Sequence, residues 1–346
     1  VRVRAVIHFI SFLINTYISP AYRDDSPKAL SLLASRLHTR LQLCRENYRT
    51  LTSNKFSQHS HSSQGFQSLS GAMVLSLYGI ITPSSAQKHN PLNPFPSGHL
   101  QFRNFLIIRL LLNYGLRTGE LLLLECSSIK PNLKGDKFSL IVTTVDEAYE
   151  PRKNAPSLKN AWANRVLELD KQDYIFLSIY IAKLRPKTDK HDFIFTSSQQ
   201  SAKPLSYTSV HSIFSKVDKV FTNQYPEYKS PMYSDSLQRL TPHTTRHTWA
   251  FLTLQKIWHL KYLKSQQNKT HFIAGVPSLS GIMEEAKDEL RLMGGWSPTS
   301  QMPDLYAKRF LSEQANAANV QRIIQDNAAL HNTLDTIMDR YNDDII

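Results

Sequence analysis

Between His99 and Tyr114 the chain reads HLQFRNFLIIRLLLNY, apolar at helical spacing and so dense that a helix here has little surface to offer water. A helix hydrophobic nearly all round belongs inside a protein, with other elements packed about it. Tyr114-Gly115 ends the run, and Thr118 to Glu125 opens another helix, which leaves Arg117 at a helix junction. Phe138 to Val145 and Trp162 to Leu169 are rich in β-branched and aromatic residues and read as strands of a small sheet. Helical patterns recur at Leu69 to Ile80, Asp170 to Leu184, Ser206 to Phe221, His243 to Leu260, Glu284 to Met293 and Gln314 to Tyr341. The expected fold is therefore mainly α with a small antiparallel β-sheet, an α+β protein without an internal repeat.

The N-terminal stretch is different in kind. The first fifty residues read as two helices, the second opening at Ser26-Pro27, with Leu30, Leu33, Leu37, Leu41 and Cys44 forming an apolar stripe suited to helix packing. Residues 52–66, TSNKFSQHSHSSQGF, carry no periodicity and read as a linker, and their His59 and His61 lack the carboxylate or Cys support of a metal site. A proline-punctuated loop then runs through Pro83, Pro91, Pro94 and Pro96 to Gly98. The opening VRVRAVIHFISFLINTYISP faintly mimics a signal peptide, but it holds His8 and lacks a small-residue cleavage site, so it reads as a helix. Because the chain begins at Val1 instead of Met, it is expected to be part of a longer protein or the product of processing.

Charge narrows the partners. The 346 residues include 41 Lys and Arg against 28 Asp and Glu, a net +13 spread along the chain, with a sequence pI near 9.6. Nucleic acid is the partner such a surface suits, because binding a polyanion releases its condensed counterions. Cys44 and Cys126 are too far apart in sequence to argue a disulfide framework or a Cys-rich metal site, and a reducing compartment fits. Arg109 and Arg117 interrupt the best candidate for a membrane span, so no membrane association is expected.

Chemistry concentrates in three stretches. Leu240 to Trp249, LTPHTTRHTW, places His243 and Arg246 three residues apart with His247 next, so an imidazole and a guanidinium leave one helix face toward an anionic oxygen. GLRTGELLLL from Gly115 adds Arg117 and Glu120. LMGGWSPTSQMPDLY from Leu292 adds Trp296 and Tyr306. The chain has no Gly-rich phosphate loop, no carboxylates at metal-binding spacing and no Gly-x-Ser-x-Gly elbow.

In that order, the three stretches resemble the two arginine boxes and the terminal tyrosine box of the tyrosine recombinases, the phage-integrase family. The resemblance runs roughly from Leu69 to Phe310. It implies a catalytic domain over 67–310, preceded by the end of a helical core-binding domain at 1–51 and the linker at 52–66, and followed by a C-terminal helix at 311–346 that could serve oligomerisation. It implies Arg117 and Arg246 as phosphate-clamping arginines, Glu120 and His247 as supporting residues, His243 as the box histidine, Trp296 at a position that is His in many members, and Tyr306 as nucleophile. It also places a lysine on a hairpin between the arginine boxes. Lys159 fits that position better than Lys153, although Asn160 stands where Thr or Gly is commoner. The Arg246 to Trp296 interval is longer than usual, implying a surface-loop insertion around Lys261 to Ser280, and Trp296 lies one residue further than usual from Tyr306.

The implied activity is site-specific DNA recombination or integration through a 3′-phosphotyrosyl intermediate, with no metal or other cofactor. The implied partners are a double-stranded DNA site, a homotetramer on paired sites and accessory DNA-bending proteins, in a prokaryotic cytoplasm at the nucleoid. A type IB topoisomerase-like or hairpin-forming strand transferase, and a catalytically silent DNA-binding regulator, are the alternatives. The chemistry agrees on independent grounds. Tyrosine, with an ordinary pKa near 10, attacks a phosphodiester only when the phosphate charge is neutralised and the leaving oxygen protonated. Two guanidiniums supply the first with planar, permanently charged forks. Lys159 would supply the second, and His243 could exchange a proton with the tyrosine or donate to a phosphate oxygen.

Overall fold

In the computed structural model the chain divides between Gly65 and Phe66 into two units. The structure describes residues 68–85, 87–96, 98–145, 150–152, 154–198, 202–230, 232, 236–268 and 279–329. Of the first unit it describes Phe9, Ile10, Phe12, Leu13, Thr16, Ser35, Arg36, Leu37, Thr39 and Arg40, all helical. The rest of the two expected N-terminal helices and the whole linker lie outside the described residues, as do Lys153 and the tail beyond Ala329.

In the second unit, Ser70 caps α1 (Gly71–Ile81) by accepting from the Met73 N–H, and Pro83 follows directly after its C-cap Thr82. The next helix, α2 (His99–Asn113), is the buried one its composition requires: Phe105, Leu106, Ile107, Ile108, Leu110, Leu111 and Leu112 are all inside. Each such side chain contributes about 1.5–3 kcal/mol on leaving water. Even Arg103 is buried, its guanidinium satisfied by Asn104 Oδ1 at 2.9 and 3.1 Å and the Thr196 carbonyl at 2.7 Å. After Gly115 comes the short α3 (Thr118–Leu122).

The sheet is antiparallel in the order β1 (Ile129–Pro131), β2 (Phe138–Val142), β3 (Arg165–Leu169). Leu140 pairs with Leu167 and Phe138 with Leu169, so alternate residues of β2 and β3 share one buried face. β1, three residues long, is too short for its alternation to register in sequence. The strand expected from Trp162 begins only at Arg165, because Ala161–Ala163 closes into a single 3-10 turn that buries Ala163.

Asp170 caps α4 (Lys171–Ile179), which runs into a π-helical turn at Tyr180–Leu184. Ser206 caps α5 (Tyr207–Gln224), whose Val210, Ile213, Phe214, Val217 and Phe221 form one buried stripe. Helix α6 (Pro242–Asn268) packs against α2, α7 (Leu279–Gly294) and α8 (Met302–Ala329). The Lys261 to Ser280 interval expected as a surface loop is thus partly helical: α6 continues through it to Asn268 and α7 has begun by Leu279. α8 starts ahead of Tyr306 and passes residue 310 without a break. A large apolar cluster fills the α1, α2, α5 and sheet side. A second gathers Trp249, Leu254, Leu290, Trp296, Tyr306 and Phe310 from α6, α7, α8 and the turn between the last two. Among the described residues no helix is long and apolar enough to cross a membrane.

Candidate functional site

Two glycine-bearing turns bring the arginines together. Gly115 has φ +60°, and a Cβ there would lie 2.0 Å from the Trp249 ring, so α2 can meet α6 closely only without a side chain. Its carbonyl accepts from Arg246 Nη1, and Nη2 of the same guanidinium donates to the Gly294 carbonyl at 2.5 Å. Arg117, the N-cap of α3, donates from both terminal nitrogens to the Gly295 carbonyl at 3.3 Å. Gly295 has φ +58°, and a Cβ on it would meet Ala163 Cα at 3.0 Å. The backbone after α7 therefore comes close enough to hold both guanidiniums.

Glu120, 1% exposed, is the counterion of this cluster. Its carboxylate accepts from the Arg117 backbone at 3.0 Å, Arg117 Nη1 at 2.5 Å and Arg165 Nη2 at 2.8 Å, with Arg246 Nη1 at 3.8 Å. Burial raises the carboxyl pKa, but Arg165, Arg246 and Arg117 outweigh it and hold the group below the usual range. Arg246, 3% exposed, is drawn down to about 9 by burial and then by Arg117, against Glu120, and still carries its charge at neutral pH. Its guanidinium carbon lies 4.6 Å from the centroid of the Trp296 ring. Three guanidiniums facing one carboxylate leave an excess of positive charge suited to an anionic group.

Tyr306, 2% exposed on α8, enters from the other side. Its hydroxyl lies 2.7 Å from His247 Nδ1, and its ring centroid 6.2 Å from that of Trp296. Burial pushes the phenol up to about 12, opposed by the charges of Arg246 and Arg117. Burial, then His243 and Arg246, bring His247 down to about 4, so it is neutral at neutral pH. His243 is exposed and its ring stands edge-on to His247 at 4.1 Å. Partial desolvation of its ring shifts it down, as do the charges of Arg246, Lys159 and Arg117. Lys159 is exposed in the loop ahead of β3, near enough for its charge to act on His243.

Arg117, Glu120, Arg246, His247, Trp296 and Tyr306 thus form one contiguous group, with His243 and Lys159 at its rim. Where the sequence offered His243 as the partner of Tyr306, the structure places His247 there. The two lie one helical turn apart on α6, and the deeper one meets α8. Arg165 was missed. Besides Glu120, it binds the Met293 and Ala163 carbonyls, both at 2.8 Å, tying β3 to the end of α7. Its signal lay in the alternation of RVLEL, which puts an arginine on the inward face with Leu167 and Leu169. Among the described residues no group of three or more His, Cys, Asp or Glu is placed to hold a metal ion.

The sequence matches the Phage integrase family over residues 87–268, more than half its length. The chain belongs to the phage integrase family, the tyrosine recombinases. The matched region takes in Arg117, Glu120, Lys159, Arg165, His243, Arg246 and His247 and stops short of Trp296 and Tyr306. Among solved structures, the chain is similar to the pre-cleavage complex of the XerH site-specific recombinase bound to difH substrate. Identity is 15% and TM-score 0.41, covering 72% of this chain and 52% of that one. It is also similar to the Tn1549 transposon integrase in complex with transposon right end DNA, at 15% identity and TM-score 0.42, covering 72% and 66%. A third is XerA recombinase, at 16% identity and TM-score 0.35, covering 65% and 61%. The chain spans about half the length of the XerH structure, 52%. No curated protein matches it.

Proposed function

We propose that this integrase-family chain cuts and rejoins duplex DNA at a specific site through a covalent 3′-phosphotyrosyl intermediate at Tyr306. The observation that carries the reading is the placement of the Tyr306 hydroxyl, 2.7 Å from a buried histidine, in the same cluster as two guanidiniums whose charges act on its phenol. Arg117 and Arg246 hold the non-bridging oxygens of the scissile phosphate. Backbone carbonyls and Glu120 fix their forks beforehand, so little reorganisation is needed as charge builds in the pentavalent transition state. Tyr306 Oη forms the new bond to phosphorus while the bond to the 5′ oxygen breaks, and Lys159 protonates that oxygen. His243 and the Trp296 indole N–H donate to phosphate oxygens. One phosphodiester replaces another, so the free energy of the broken bond is retained and rejoining is the same step reversed. The +13 chain supplies the attraction for the DNA backbone.

A homotetramer joins two sites, with the C-terminal helix beyond residue 310 serving assembly. The test is covalent trapping: protein incubated with sheared DNA and then denaturant should retain fragments that share a common sequence. Uniform recovery of all sequences would support a strand-relaxing topoisomerase-like enzyme, and recovery of none a silent DNA-binding regulator.

A further inference from the structure

We propose that His247 is the group that takes the Tyr306 proton during cleavage and returns it during rejoining, while His243 faces the phosphate. The inference rests on the DNA-cleaving reading above and divides between two histidines a role that sequence left to the first. The geometry separates them. His247 Nδ1 lies 2.7 Å from Tyr306 Oη, the distance of a formed O–H···N hydrogen bond, and both side chains are nearly closed to solvent, at 8% and 2% exposure. The His247 ring neighbours both of the others, with centroids 4.1 Å from His243 and 5.9 Å from Tyr306. His243 is exposed and within the field of Lys159.

For Tyr306 to donate, Nδ1 must be bare and the imidazole proton must sit on Nε2, which requires a neutral ring. Burial and the neighbouring His243 and Arg246 ensure that at neutral pH. The same environment makes His247 a weak base beside a phenol raised to about 12, so the proton crosses as the Oη–P bond forms, not before it. The accounts balance. On cleavage Oη gains phosphorus and loses its proton to His247 Nδ1, while the 5′ oxygen loses phosphorus and gains a proton from Lys159. The intermediate holds an imidazolium and a neutral lysine, and attack by the 5′ hydroxyl restores both.

The test measures adduct formation on a nicked substrate. His247→Gln keeps a polar side chain but cannot accept the proton, and should slow cleavage by about 10²–10⁴-fold. Replacing Tyr306 by 3,5-difluorotyrosine, whose phenol is far more acidic, should restore most of that loss in His247→Gln and none in His243→Gln. Wild-type cleavage by His247→Gln, or rescue of His243→Gln in its place, would overturn the assignment. A second arm needs no DNA: ¹⁵N NMR of histidine-labelled protein should show His247 with a bare Nδ1 whose resonance moves in Tyr306→Phe. A protonated Nδ1 would overturn it. Failure of the wild type to form any adduct would strike the DNA-cleaving reading itself, while the NMR arm still reads the direction of the hydrogen bond.

Discussion

Glu120 holds three guanidiniums at once, and its removal is the sharpest perturbation of the site's architecture. In Glu120→Gln the shape is kept and the charge lost, leaving Arg117, Arg165 and Arg246 facing one another with the carboxylate that accepted at 2.5 and 2.8 Å gone. Breaking a buried ion pair by removing one partner costs about 3–5 kcal/mol. No screening discount applies, because Glu120 is 1% exposed. For a domain of this size 1 kcal/mol moves Tm by about 2–4 °C, so a fall of about 6–20 °C is expected in calorimetry. The pH dependence has a definite sign. Burial raises the Glu120 pKa, but Arg165, Arg246 and Arg117 together lower it by more, and the folded value ends below the unfolded one. The stabilisation is therefore complete above the unfolded carboxyl pKa, about 4.3, and is lost as pH falls through the folded value. The gap between wild type and variant should stay constant from neutrality to about pH 5 and close only in more acid solution. A loss under about 1 kcal/mol, or a gap that closes near neutrality, would refute the reasoning.

Arg117→Ala and Arg246→Ala should each lower single-turnover cleavage by about 10²–10³-fold, the cost of losing one transition-state donor, measured on a nicked suicide substrate. Lys159→Ala should be largely rescued by a 5′-bridging phosphorothiolate, whose sulfur leaves without protonation; rescue of Lys153→Ala instead would move the acid there. Chelator should leave wild-type cleavage unchanged, and a magnesium requirement would count against the mechanism. Gly115→Ala forces a Cβ to within 2.0 Å of Trp249 at φ +60° and should cost about 2–5 kcal/mol in urea unfolding, from overpacking and left-handed strain together.

The elements that could be read from sequence were those whose burial is written in one period. The α2 run, the α5 stripe and the paired faces of β2 and β3 all declare themselves this way. β1 and the turn at Ala161–Ala163 did not, because three residues carry no period and the turn is set by tertiary packing of Ala163 beside Gly295. The site was legible as residue types, since arginine forks beside a phenol suit few chemistries. Which histidine meets Tyr306 was not, because it depends on how deeply α8 crosses α6, and spacing along α6 cannot report that. Arg165 stayed hidden because its partners, Glu120 and the Met293 carbonyl, lie 45 and 128 residues away.

The central claim is that Tyr306 becomes bonded to phosphorus. Protein trapped on a nicked site and digested with nuclease and protease should yield, by tandem mass spectrometry, a peptide carrying a 3′-linked nucleotide on Tyr306, and Tyr306→Phe should yield none while still binding DNA. The same mass on another residue, or adduct persisting in Tyr306→Phe, would contradict the account.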